Sequence, residues 1–61
     1  MIMWIARDKD DTLKIGDMKP MGGKCEYFYP SESYVSYLNE NLFPEVTFEN
    51  SPIEVEIKLK M

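Results

Sequence analysis

Residues 53–61 read IEVEIKLKM, and this stretch decides the fold class. Successive side chains of a β-strand point to opposite faces, so an alternation with a period of two is typical of a strand. One face is aliphatic and the other is charged, which predicts a long strand with one side on a core and the other in water. The alternating aliphatic residues are Ile53, Val55, Ile57, Leu59 and Met61.

The amino terminus predicts a hairpin beside this strand. Residues 1–7 form a short, mainly apolar segment, and the turn-forming residues 8–12 follow it. Within that turn, Asp10 and Asp11 tolerate a positive φ angle. The returning strand, residues 13–16, is expected to place Leu13 and Ile15 on one face and Lys14 outside.

The middle of the chain is harder to interpret. Pro20 and a glycine pair within residues 17–24 predict a loop, and residues 24–29 predict a strand that ends at Pro30. Residues 34–38 fit a strand or the first turns of a helix, and their aromatic and β-branched content favours the strand.

The expected fold is therefore mainly β, as a small antiparallel sheet or meander of four to five strands. One short helix near residues 34–43 remains open as an alternative. Residues 1–61 contain no linker, repeat or low-complexity tract, so they are expected to form a single small domain.

Charge is unevenly distributed along the chain. The net charge is −4, and between Cys25 and Ile57 there are seven glutamates with no lysine or arginine. This argues against direct nucleic-acid binding, because lysine and arginine provide affinity for phosphates. No apolar run is long enough to cross a membrane, so we expect no membrane association and a cytoplasmic location.

The residue types argue against an enzyme and against a resident metal or cofactor. The chain has no histidine and one cysteine, Cys25, which we expect to be a small buried residue. Asp8, Asp10 and Asp11 resemble the start of a calcium loop, but Leu13 and Lys19 occupy the positions where such a loop needs glycine and glutamate. Catalytic carboxylate pairs need a shared cleft, whereas these acids fall mostly on turns and exposed strand positions.

Two stretches of the sequence carry a resemblance. Residues 4–13 read WIARDKDDTL and residues 42–55 read LFPEVTFENSPIEV. They resemble a group of small uncharacterised proteins of gut bacteria and their prophages, with a W-I-A-R-D-K-D-G-x-L start and an L-F-P-E-V-T-[FW]-E-N-S-P-x-E-V end. The resemblance implies a small accessory protein of a mobile element and assigns no activity and no functional residue. At Asp11 the group usually has glycine, so the hairpin turn is expected to differ from a two-residue type I′ turn.

These observations give two hypotheses for function. The first is a non-enzymatic interaction protein that binds and modulates a protein partner with a basic surface through an acidic, tyrosine-bearing surface. The alternative is a structural β module that self-associates through a sheet edge into a homo-oligomer or larger assembly. The candidate protein-contact residues are Glu32, Tyr34, Tyr37, Glu40, Glu45 and Glu49.

Overall fold

The computed structural model describes residues 1–58, and within that range all regular structure is β. The strands are β1 (Ile2–Arg7), β2 (Leu13–Gly16), β3 (Met21–Gly22), β4 (Tyr27–Phe28), β5 (Val35–Leu38) and β6 (Ile53–Glu56). The prediction of a mainly β antiparallel fold is confirmed.

Four of these strands form one antiparallel sheet in the order β5-β2-β1-β6. The β1–β2 hairpin is confirmed, and β6 pairs with the other side of β1, with Met3 opposite Val55. On the far side of β2, Leu38 lies opposite Leu13. The alternative prediction of a short helix near residues 34–43 is wrong, because residues 35–38 pair with β2 across their whole length.

The strand predicted for residues 24–29 is confirmed only at Tyr27–Phe28, which forms β4, and within the loop predicted for residues 17–24 the short strand β3 pairs with it in a two-stranded sheet. The Gly23 amide donates to the Glu26 carbonyl at 2.7 Å, so the chain turns back within residues predicted to be extended.

The strand predicted over residues 53–61 is confirmed as strand only over Ile53–Glu56. Ile57 still exchanges backbone hydrogen bonds with Met1 beyond the end of β6. Residues 59–61, the end of that prediction, lie outside the described residues.

One face of the main sheet carries the core. Ile5, Leu13 and Val46 are buried, and side chains from β2, β5 and β6 pack against them. Val46 belongs to residues 39–50, which cross this face without regular structure. The backbone of residues 39–50 therefore needs the hydrogen bonds that a strand or helix would otherwise provide, because buried backbone groups are costly to leave unpaired.

Arg7 provides those hydrogen bonds. Only 7% of this residue is exposed, and its side chain points to the same face as Ile5. A guanidinium has five N–H donors, and here each has a backbone carbonyl within reach. Nε donates to Val46, Nη1 to Asp11 (2.9 Å) and Glu40 (3.0 Å), and Nη2 to Leu42 (2.9 Å) and Phe43 (3.1 Å).

Asp8 and Lys14 fix β4 against the hairpin. Lys14 was expected outside, but its side chain is only 12% exposed and its ammonium lies 3.1 Å from the Asp8 carboxylate. Asp8 accepts a hydrogen bond from the Tyr27 amide, and Lys14 donates to the Tyr27 carbonyl, both at 2.9 Å. The Tyr27 hydroxyl lies 2.7 Å from the Ser51 carbonyl, so β4 is also tied to the chain before β6.

The β1–β2 turn is a three-residue loop. The Asp8 amide donates to the Thr12 carbonyl (2.8 Å) and the Asp11 amide to the Asp8 carbonyl (3.0 Å). Asp11 has a φ of 75°, which confirms that an aspartate of this turn takes a positive φ. A third loop residue in the left-handed backbone conformation, here Asp11, is characteristic of three-residue hairpin loops. The turn is therefore not a two-residue type I′ turn.

Replacing Arg7 by lysine is expected to destabilise the protein by about 2 to 4 kcal/mol, because a lysine has three donors for five carbonyls and lacks the planar fork. Denaturant unfolding followed by tryptophan fluorescence measures the change. The control Lys9→Ala removes a positive charge from an exposed neighbouring position and is expected to cost less than about 0.5 kcal/mol. Equal effects of the two substitutions would contradict the role given to Arg7.

Asp11→Gly is expected to stabilise the fold by about 0.5 kcal/mol, because glycine adopts a positive φ without the steric cost that other residues pay. The matched change Asp10→Gly is expected to destabilise, since it removes the 3.0 Å hydrogen bond that the Asp10 carboxylate accepts from the Thr12 amide. Thermal unfolding of both variants beside the unaltered protein measures the difference. A loss of stability in Asp11→Gly would contradict this account of the turn.

Stability is expected to fall above pH 10 because of Tyr29. Burial, helped by the charge of Asp8, raises the pKa of Tyr29 from 10.0 to about 12. Its hydroxyl donates to the Trp4 carbonyl at 2.8 Å, and a phenolate cannot donate. The native state therefore holds this proton more tightly than the unfolded chain, and the stability that it confers is complete below pH 10 and lost as pH rises towards about 12.

Denaturant midpoints measured from pH 8 to pH 12 test this, with Tyr29→Phe as the comparison. The phenylalanine variant is expected to be less stable at pH 8 and to lose less stability on going to high pH. An identical decline in both proteins would contradict the assignment.

Candidate functional site

The outer side of β5 is one of the two edges of the main sheet. Among residues 1–58 no strand pairs with it, and we call this side, with the flanking Tyr34, the β5 edge. Tyr34 is 83% exposed and Tyr37 is 76% exposed, and Val35 is also exposed. Side chains alternate along a strand, so Tyr34 and Tyr37 lie on opposite faces of the sheet and flank the edge from both sides.

The pairing pattern identifies which backbone groups point outward. Met1 and Ile57 exchange both backbone hydrogen bonds, at 3.1 and 2.8 Å, so odd-numbered residues of β1 bond to β6 and even-numbered ones to β2. Because hydrogen-bonded pairs alternate, Leu13 and Ile15 of β2 then bond to β5.

Their partners in β5 are Leu38 and Ser36, whose amides and carbonyls therefore point towards β2. The amides and carbonyls of Val35 and Tyr37 consequently point away from the sheet. The β5 edge thus offers two donors and two acceptors in a row.

The opposite edge of the sheet differs in chemistry. On β6 the outward positions are Glu54 and Glu56, and Pro52 precedes the strand. Charged side chains and proline are common devices that prevent a sheet edge from pairing with another chain. Such devices do not occur within β5, which reads VSYL.

Both ends of β5 are held in place. At its start, the Asp17 carboxylate accepts hydrogen bonds from the Ser33 hydroxyl (2.8 Å) and the Tyr34 amide (3.0 Å), and these bonds lower the pKa of Asp17. At its end, the Glu40 carbonyl accepts from Arg7. The edge is therefore preformed, which reduces the ordering cost of binding.

The structure brings together some of the predicted acidic residues. Glu40 and Glu49 line one open concavity of about 530 Å³, together with Asp11 and the exposed Lys9, neither of which is among the contact residues predicted from the sequence. Glu32 lies in the turn before β5, at the other end of the strand from Glu40. Glu45 is exposed but does not line the concavity.

The expectation about Cys25 has a clear outcome. Cys25 is exposed, so the expectation of a buried residue is wrong; its carbonyl accepts the Lys9 amide at 2.8 Å, which holds it in the surface turn between β3 and β4. Within residues 1–58, no group of three histidine, cysteine, aspartate or glutamate side chains is placed to hold a metal ion. No helix in the described part of the chain is long and apolar enough to span a membrane.

Sequence reasoning missed the structural roles of Arg7 and Asp8. A signal was present, because the alternation of β1 places Arg7 on the same face as Met3 and Ile5. A charged residue at an inward position of a strand indicates internal hydrogen-bond partners, since an unpaired buried charge is costly.

Comparison with known proteins adds no assignment. No protein-family model, curated protein or solved structure matches this chain. The interpretation of the site therefore rests on its geometry and chemistry.

Proposed function

We propose that this protein is a non-enzymatic interaction protein that binds and modulates a protein partner with a basic surface. The contact surface would comprise the β5 edge and the acidic residues at its ends, Glu32, Glu40 and Glu49. The observation that carries the proposal is the exposure of Tyr34 (83%) and Tyr37 (76%) on a strand whose outer side has no partner among the described residues.

Tyrosine is well suited to such a contact. Its ring contributes a large apolar area at a low cost in side-chain entropy, and its hydroxyl can hydrogen-bond to the partner. In this chain Tyr27 and Tyr29 are tied to the fold by their hydroxyls, whereas the Tyr34 and Tyr37 rings lie mostly in water. The second pair is therefore available for a partner.

Charge supports a basic partner. Arg7 and Lys14 are committed to internal contacts and residues 26–57 contain no lysine or arginine, which leaves Lys9 as the exposed basic residue lining the concavity. The field around Glu40, Glu49 and Asp11 would accelerate association with a positively charged protein, in a manner that salt screens.

Location and origin belong to the same proposal. A cytoplasmic protein with a single exposed cysteine and no internal disulfide fits the composition. The resemblance to prophage-associated proteins supports an accessory role in a mobile element, with a host or phage protein as the partner.

Capture from nuclease-treated bacterial lysate at about 50 mM and about 500 mM salt tests this proposal. The immobilised protein is expected to retain a basic protein at low salt and to lose most of it at high salt. Two variants, Tyr34→Ser with Tyr37→Ser and Glu40→Lys with Glu49→Lys, are each expected to reduce capture at least about tenfold, because a few central or charged contacts carry most of the binding energy.

The matched control is Glu54→Lys with Glu56→Lys, which makes the same charge change on β6 and is expected to leave capture unchanged. Capture that resists high salt, or that survives both variants of the β5 side, would overturn the proposal.

A further inference from the structure

We propose that the partner docks by strand addition: an extended segment with a basic residue near each end pairs with the β5 edge and extends the sheet to five strands. This inference rests on the proposed function and specifies its mode of binding. It depends on three features of the described residues, namely the outward backbone groups, the flanking tyrosines and the charges at the two ends of β5.

The backbone groups provide the pairing. Val35 and Tyr37 direct two amides and two carbonyls outward, which is enough for two hydrogen-bonded residue pairs of an antiparallel ladder. In complexes of this kind, main-chain hydrogen bonds provide affinity and side-chain contacts provide selectivity. Tyr34 and Tyr37, on opposite faces, would cover the added strand from both sides and exclude water from the new hydrogen bonds.

The charges define the occupant. Glu32 precedes β5 and Glu40 follows it, and both are exposed. A strand advances about 3.3 Å per residue, so an added segment of about six to eight residues would reach from one glutamate to the other. Lysine or arginine near each end of that segment would therefore meet opposite charge.

The same charges disfavour a second copy of this chain as the occupant. Two β5 strands would form all four outward hydrogen bonds if Val35 of one copy paired with Tyr37 of the other. In that register Glu32 of each copy lies opposite Glu40 of the other, so like charges face each other at both ends. No basic residue in residues 26–57 is present to offset this repulsion.

The experiment uses the full-length protein and a capped synthetic peptide, acetyl-Lys-Thr-Val-Thr-Val-Lys-amide, followed by two-dimensional amide NMR. Addition of the peptide is expected to shift the amide signals of Val35 and Tyr37 and to slow their hydrogen exchange. The signals of Glu54 and Glu56, on the opposite edge, are expected to stay unchanged. The same peptide with glutamate at both ends is expected to bind at least about tenfold more weakly at low salt.

Backbone pairing is tested separately from surface contact. One test uses the peptide N-methylated at its two valines, in the register where the valine amides face β5. The other uses the protein variant Tyr37→Pro. Each change removes ladder hydrogen bonds and is expected to reduce binding at least about fivefold. Tyr37→Thr keeps the amide and is the comparison for the proline variant. Glu56→Pro makes the equivalent change on β6 and is expected to leave binding unchanged.

Several outcomes would overturn strand addition. One is equal binding of the N-methylated and unmodified peptides, and another is a shift map centred on Asp11, Glu40 and Glu49 instead of Val35 and Tyr37. A third is the absence of peptide binding, and a fourth is a dimer in sedimentation whose Val35 and Tyr37 amides are protected without peptide. In each of these cases the proposed function is judged on its own, by the capture of a basic partner and its loss in the tyrosine and glutamate variants.

Discussion

The hydrogen bonds of the Arg7 guanidinium hold the rest of the structure in place. In a chain of 61 residues the sheet buries few large side chains, and the segment that covers its core face, residues 39–50, has no regular ladder of its own. Arg7 replaces that ladder by donating to five carbonyls from two loops. A buried charge is tolerated here because every donor is used.

Several other features follow from this arrangement. Phe43 has a φ of 50°, unusual for a bulky residue, and its carbonyl accepts from Arg7. Arg7 also joins the two stretches that carry the resemblance, residues 4–13 and 42–55, since its own backbone amide donates to the Ser51 hydroxyl at 3.0 Å. By fixing the Glu40 carbonyl, it fixes the end of β5 and one wall of the acidic concavity. The candidate binding surface is therefore built on the same contacts that stabilise the core.

The sequence predicted those elements whose signals are local. The alternation of residues 53–61 predicts β6, and the apolar start with the aspartate-rich turn predicts the β1–β2 hairpin, because period two and turn chemistry act over a few residues. Composition favours a strand at residues 34–38, but the same pattern also fits the helix near residues 34–43. Pairing with β2 decides between them, and pairing is a long-range property.

The remaining features depend on contacts between distant residues. The short β3 strand depends on its pairing with β4, which the glycine pair does not specify, and Cys25 lies exposed in the turn between them, where its carbonyl accepts the Lys9 amide. Of the acidic residues chosen from the sequence, Glu40 and Glu49 come together because residues 39–50 fold over the core face, while Glu32 lies at the far end of β5. The exposure of Tyr34 and Tyr37, in contrast to the anchored Tyr27 and Tyr29, likewise needs the fold to be seen.

The exchange rate of the Arg7 side-chain Nε proton tests the central claim most directly, since Arg7 is the chain's only arginine and gives a single Nε signal in an amide NMR spectrum. The account predicts one sharp signal that exchanges far more slowly than that of a solvent-exposed arginine, because this proton is held by the buried Val46 carbonyl. Exchange as fast as in a free arginine side chain would show that the guanidinium does not hold residues 39–50, and would contradict the account.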